Sequence, residues 1–104
     1  MAQAPTSNLH ISPSVLDKLA GKIPPVTEDE IHQCFANREG RFLLDQREEH
    51  QSEPATRWFI AETNFGRKLK IAFIPRLPKV VIRTAYDANV DELRIYAKYG
   101  AATT

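Results

Sequence analysis

The sequence predicts an α+β domain in which two N-terminal helices precede a four-stranded antiparallel sheet and a C-terminal helix closes the fold. Three observations carry that expectation. Residues 57 to 86 hold three strand-like segments separated by turn residues. Helix-start patterns stand on either side of them, at Thr27-Glu28-Asp29-Glu30 and at Asn89 with Glu92. Within the segments, Leu69, Ile71 and Phe73 alternate with Lys68, Lys70 and Ala72, the period of a strand with one buried and one exposed face.

Residues 1–10, including Pro5, Thr6, Ser7 and Asn8, lack periodicity and are expected to form a flexible tail. The first helix is expected after Ser12, whose hydroxyl can cap a free amide, with Pro13 at the first helical position and Val15, Leu16 and Leu19 as the apolar stripe. Gly21 ends it, and Ile23-Pro24-Pro25 enforces an extended link because proline disfavours helix in the residue before it. The second helix starts at the Thr27 capping box, with Val26 set to pack on Ile31 and three acidic residues at the positive end of the helix dipole. Ile31, Cys34 and Phe35 form its buried face, which makes Cys34 a core filler, and Gly40 is its expected stop.

A short strand is expected over Arg41–Asp45, followed by an exposed polar connection from Gln46 to Pro54. Strands over Arg57–Thr63 and Arg67–Ile74 are joined through Asn64-Phe65-Gly66, where glycine supplies the positive φ of the turn. Pro75 and Pro78 mark the next turn, and the last strand runs from Lys79 to about Tyr86. The final helix is capped by Asn89 with Glu92 answering, packs Leu93, Tyr96 and Ala97 inward, and closes at Gly100. Residues 11–100 thus make one domain and 101–104 a short tail, with helices on one sheet face and the other face open.

Composition excludes several classes. A hydrophobic fraction of 42% and a charged fraction of 26% belong to an ordinary globular chain. No apolar run approaches the roughly 18 residues of a membrane span. The first ten residues carry no cation and no apolar block, so a secretory signal is not expected and the cytoplasm is the default compartment. The net charge of +1 conceals an asymmetry: residues 1–54 hold five Lys or Arg against nine Asp or Glu, whereas residues 55–104 hold nine against four. Either the two halves neutralise one another in the fold, or the basic half serves a phosphate-bearing partner.

A sheet face lined by cations suits phosphate, because guanidinium forks bind two oxygens at once and ammonium groups add point charge. Side-chain alternation brings Arg57, Lys68, Lys70 and Arg83 toward the open face. Glu48, Glu49 and His50 can lean over it from the connection, and Tyr86 can stand at its rim. Metal-free RNA cleavage needs those three kinds of group: a base for the 2′-hydroxyl, an acid for the leaving oxygen, and cations over the phosphate. The competing reading is that strand faces carry Lys and Arg for solubility. His50, flanked by carboxylates, is either the acid or base or a solvated loop residue, while His32 and His10 suggest no role. Trp58 and Phe59 can stack on bases, yet adjacent strand residues face opposite ways, so at least one belongs to the core. No zinc-type ligand spacing, phosphate loop or nucleophile elbow is present, so neither a metal nor a cofactor is expected.

The order of elements, with Asp45, Arg57, Gly66-Arg67-Lys68-Leu69, Arg83-Thr84-Ala85-Tyr86 and Glu92-Leu93-Arg94-Ile95-Tyr96, resembles the BrnT toxins of the RelE-like group of bacterial type II toxins. The likeness spans about residues 26 to 99 and rests on dispersed positions. It implies a small endoribonuclease that blocks translation by cutting RNA and is silenced by a cognate antitoxin over its basic face. Taken with the residue chemistry above, the expected catalytic groups are Glu49, His50, Arg83 and Tyr86, with Arg57, Arg67, Lys68 and Lys70 on RNA phosphate. Such toxins commonly carry a basic residue after the Ser-Ala or Thr-Ala step of the last strand; after Thr84-Ala85 this chain carries Tyr86. The Gln46–Thr56 connection is also longer than usual. Those departures fit a relative that changed or lost its activity, which leaves a non-catalytic nucleic-acid- or protein-binding module as the alternative, and a structural component of a larger complex as a third. An ADP-ribosyl hydrolase is more distant, because that class implies a large helical fold with an acidic metal cluster. The expected partners are therefore RNA and an antitoxin, with no membrane and with self-association left open.

Overall fold

Five strands form one mixed sheet in the computed structural model, which describes residues 8–45 and 54–100. In chain order the elements are β1 (Leu9–His10), α1 (Pro13–Ala20), α2 (Glu28–Asn37), β2 (Leu43–Leu44), β3 (Arg57–Glu62), β4 (Lys68–Arg76), β5 (Lys79–Asp87) and α3 (Val90–Tyr99). The sheet order is β1-β5-β4-β3-β2, with β1 parallel to β5 and every other pairing antiparallel. The expected α+β class and three helices are present, but the sheet is neither four-stranded nor wholly antiparallel. Leu9 and His10, assigned to the tail, pair with Val80 and Val81. Two residues are too few to show periodicity; their pairing follows from the β5 edge they reach.

The helix starts follow their side-chain chemistry. Ser12 Oγ accepts from Val15 N, and Thr27 and Asn89 each form a complete capping box, with Glu30 and Glu92 respectively. A cap of this kind stabilises a helix by about 1 kcal/mol. α2 ends at Asn37, three residues before Gly40, with Arg38 in an extended conformation. At the β3–β4 turn, Gly66 adopts φ +86°, a left-handed conformation that only glycine takes without strain.

Both faces of the sheet are covered, which corrects the expectation of an open one. On the first face, Leu19 of α1 and Ile31 and Cys34 of α2 pack with Phe59, Ala61, Leu69, Ile71, Phe73, Ile82 and Ala85. Phe35, Phe42, Phe59 and Phe73 cluster there with centroids 4.7 to 6.3 Å apart, all but the tilted Phe35–Phe42 pair meeting edge to face. Each such pair adds about 1 kcal/mol beyond its area. On the second face, Trp58, Ile60 and Ala72 are buried with Leu93 and Tyr96 of α3. β4 accordingly has six consecutive buried residues, Leu69 to Ile74, and Pro75 lies within the strand, not beyond it. Among the described residues no helix is long and apolar enough to cross a membrane.

Candidate functional site

Lys70 occupies a position that strand alternation assigned to solvent. It is 4% exposed instead, beneath α3. Register explains its neighbours: Lys70 lies opposite Ile60 on β3 and Tyr86 on β5, so all three share the face that α3 covers. Its ammonium donates to Glu92 Oε2 at 3.2 Å and stands 4.5 Å from the centre of the Trp58 ring. The Tyr86 hydroxyl donates to the same Oε2 at 2.6 Å, and the backbone N–H of Asn89 donates to Glu92 Oε1 at 3.0 Å. Burial alone would raise the Glu92 pKa. The hydrogen bonds from Tyr86, Asn89 and Lys70 outweigh it and hold the carboxyl below its ordinary value. Glu92 thus does two jobs, closing the α3 capping box and anchoring a buried Lys–Glu–Tyr cluster.

This cluster opens on a cavity of about 680 Å³. Lys70, Glu92 and Trp58 line it together with Leu43, Leu44, Asp45, Ile95 and Tyr99. A wider groove of about 1220 Å³ runs between the end of α2 and α3, with Glu39, Glu62, Asn64 and Lys68 on its surface.

Arg83 sits at a break in register. Thr84 pairs with Ala72 and Ile82 pairs with Phe73, so Arg83 is the extra residue of a β-bulge, a device that re-aims a side chain. Its Nη1 donates to the buried Thr56 Oγ1 at 3.3 Å. Thr56 O in turn accepts from Asp45 N at 2.9 Å, which ties together the two ends of the 46–53 connection. Arg83 therefore touches the base of the segment that carries Glu49 and His50. Those two residues lie outside the described residues.

The predicted phosphate-binding cations do not converge. Arg57 and Lys68 are exposed, but Lys68 pairs in register with Glu62 at the far end of β3, roughly 17 Å from Arg57 at the usual strand rise. They also belong to opposite faces, since Arg57 lies opposite Phe73 and Lys68 two residues from Lys70. Arg67 is a clamp within the fold. It donates from Nε and Nη2 to Asp87 at 2.7 and 3.0 Å, from Nη1 to Glu30 at 3.0 Å, and to the carbonyls of Pro25 and Pro24. Its fork is spent on the protein's own acceptors, as is the ammonium of Lys70 on Glu92. What sequence reasoning missed was Glu92 as more than a capping residue. Its spacing of six from Tyr86 and 22 from Lys70 has no recognisable pattern, because the three meet only through sheet register.

Among the described residues no group of three His, Cys, Asp or Glu side chains could hold a metal ion. No protein-family model, curated protein or solved structure matches this chain.

Proposed function

We propose that this protein is a toxin-like, metal-independent endoribonuclease that cuts RNA to block translation and is silenced by a cognate antitoxin. The observation that carries the reading is the position of Arg83: its guanidinium meets Thr56 at the base of the connection bearing Glu49 and His50. A phosphate cation thereby stands where the chain leaves and re-enters the sheet around the 46–53 connection, with Tyr86 three residues along β5 and hydrogen-bonded to ionised Glu92. In this reading Glu49 or His50 takes the proton of the 2′-hydroxyl, and the 2′-oxygen attacks phosphorus. The bond from phosphorus to the 5′-oxygen breaks, and Tyr86 returns a proton to that oxygen. Arg83 holds the phosphate as its charge rises. The products are a 2′,3′-cyclic phosphate and a 5′-hydroxyl.

The test is incubation of the purified protein with RNA in the presence of a chelator, followed by end-group analysis. Cyclic phosphate termini are expected, and Arg83→Ala should slow cleavage by about 10²-fold or more with the circular dichroism spectrum unchanged. RNA left intact by the folded protein overturns the proposal. A non-catalytic binding module is the second reading, favoured by the internal engagement of Arg67 and Lys70. It predicts intact RNA and binding that weakens steeply with salt.

A further inference from the structure

Pairing of β1 with β5 fixes His10 beside a group of cations. Leu9 and Val80, opposite one another, pack on the first-face core, so the next pair, His10 and Val81, belongs to the second face. Lys79 precedes Val81 by two residues and shares that face, and Arg76 stands directly opposite Lys79 across the β4–β5 turn. α3 packs on Trp58, Ile60 and Ala72 toward the β3 side of this face, and it leaves His10, Arg76 and Lys79 exposed. Arg83, held at Thr56, lies further along β5.

The charge of this group is not answered within the fold. Among the described residues no side-chain hydrogen bond or ion pair engages His10, Arg76 or Lys79. β1, β4 and β5 as far as Tyr86 hold no carboxylate. Like charges directly opposite on neighbouring strands repel, so Arg76 and Lys79 together cost stability. Cations that guard a sheet against edge-to-edge pairing belong on outermost strands, whereas β4 and β5 each have a neighbour on both sides.

Chemistry and shape point to one kind of occupant. A guanidinium fork binds two phosphate oxygens, an ammonium adds point charge, and an imidazole offers an N–H in either protonation state. From Lys79 to Arg83 the row runs roughly 13 Å along β5, an elongated track that a chain of phosphates can follow. An anionic bilayer would need apolar insertion as well, and Leu77 is the single large apolar side chain at the β4–β5 turn, too little to anchor on lipid.

We infer that His10, Arg76 and Lys79 form a docking strip for the sugar-phosphate backbone of single-stranded RNA, leading toward Arg83. The strip rests on the RNA partner of the ribonuclease reading, and it binds whether or not the strand is cut.

The probe is a short, fluorescently labelled 2′-O-methyl oligonucleotide, which has no 2′-hydroxyl to attack, with binding read by anisotropy over a salt series. Arg76→Ala/Lys79→Ala should lower the slope of log K against log salt by about 1.4 and weaken binding roughly 20-fold at about 0.1 M salt. His10→Ala should weaken it about fivefold, the loss of one hydrogen bond. Lys18→Ala/Lys98→Ala, which removes the same charge from exposed positions on α1 and α3, should leave the slope unchanged. Equal slope changes in the two double variants, or no binding by the parent protein, overturns the strip. So does co-sedimentation with phosphatidylserine vesicles that Arg76→Ala/Lys79→Ala abolishes while its oligonucleotide affinity stays at the parent value, which would assign the cations to lipid. Unmodified RNA separates this inference from the ribonuclease reading. Strip-dependent binding with the RNA left intact removes the ribonuclease alone, whereas cleavage by a double variant Arg76→Ala/Lys79→Ala of undiminished affinity removes the strip alone.

Discussion

Arg67 gathers acceptors from three separate segments: the carbonyls of Pro24 and Pro25, Glu30 of α2, and Asp87 at the end of β5. Arg67→Ala should cost about 2–4 kcal/mol, read as a lower urea midpoint, because it leaves two carboxylates and two carbonyls short of a donor. Arg67→Lys should recover only part of this, since an ammonium cannot reproduce the planar fork. The hydrogen bond from Arg67 holds the Asp87 pKa below its ordinary value against a smaller opposing effect of burial, and Glu92 is also lowered. Both folded values lie below the unfolded ones. Their contribution is therefore complete above the usual carboxylate range near 4 and is lost as pH falls through the folded values. Asp87→Asn and Glu92→Gln should thus show a shallower loss of urea midpoint than the parent protein as acid is added below about pH 4. Cys34 behaves oppositely. Burial, with a smaller push from Glu30 against a pull from Arg67, raises its thiol to about 12. It should remain silent to a thiol reagent at neutral pH until the protein is unfolded.

At the scale of elements, α3 determines whether the second sheet face exists as a core. Its docking rests on Leu93 and Tyr96 against Trp58 and Ile60, and on two hydrogen bonds that fix its C-terminal end: Tyr96 OH to Arg41 O at 2.6 Å and Arg41 N to Gly100 O at 2.7 Å. Gly40 permits this approach, because a Cβ there would collide with Gly100 O and the Tyr96 hydroxyl. Gly40→Ala should therefore destabilise the protein by more than 1 kcal/mol and red-shift Trp58 emission as α3 lifts, whereas Gly21→Ala should do neither. The helix starts were legible in sequence because caps are local: Ser12, Thr27 and Asn89 each act on an amide three residues away. The bulge at Arg83 was not, since it is defined by which residues of β4 stand opposite, and nothing within β5 itself encodes that. β1 escaped for the same reason.

For the molecule as a whole, the unequal charge of the two halves resolves in part into internal pairing. Arg67 of the basic half meets Glu30 of the acidic half, while Lys70 and Glu92 of the basic half neutralise each other. Of the exposed cations, Arg57 and Lys68 stand at opposite ends of the β3–β4 hairpin, and Arg83 reaches Thr56 where the chain re-enters the sheet. By itself the sequence determined the α+β class, all three helices, the β3–β4 turn and the core role of Cys34, because each depends on residues a few positions apart. Only the tertiary structure decided that α3 covers the second face, that Lys70 is buried against Glu92, Tyr86 and Trp58, and that Asp45 joins them around one cavity. Alternation along a strand says which residues share a face. It does not say whether a helix 20 residues later will settle on it, and that depends on the free energy of burying Trp58, Ile60, Leu93 and Tyr96 together.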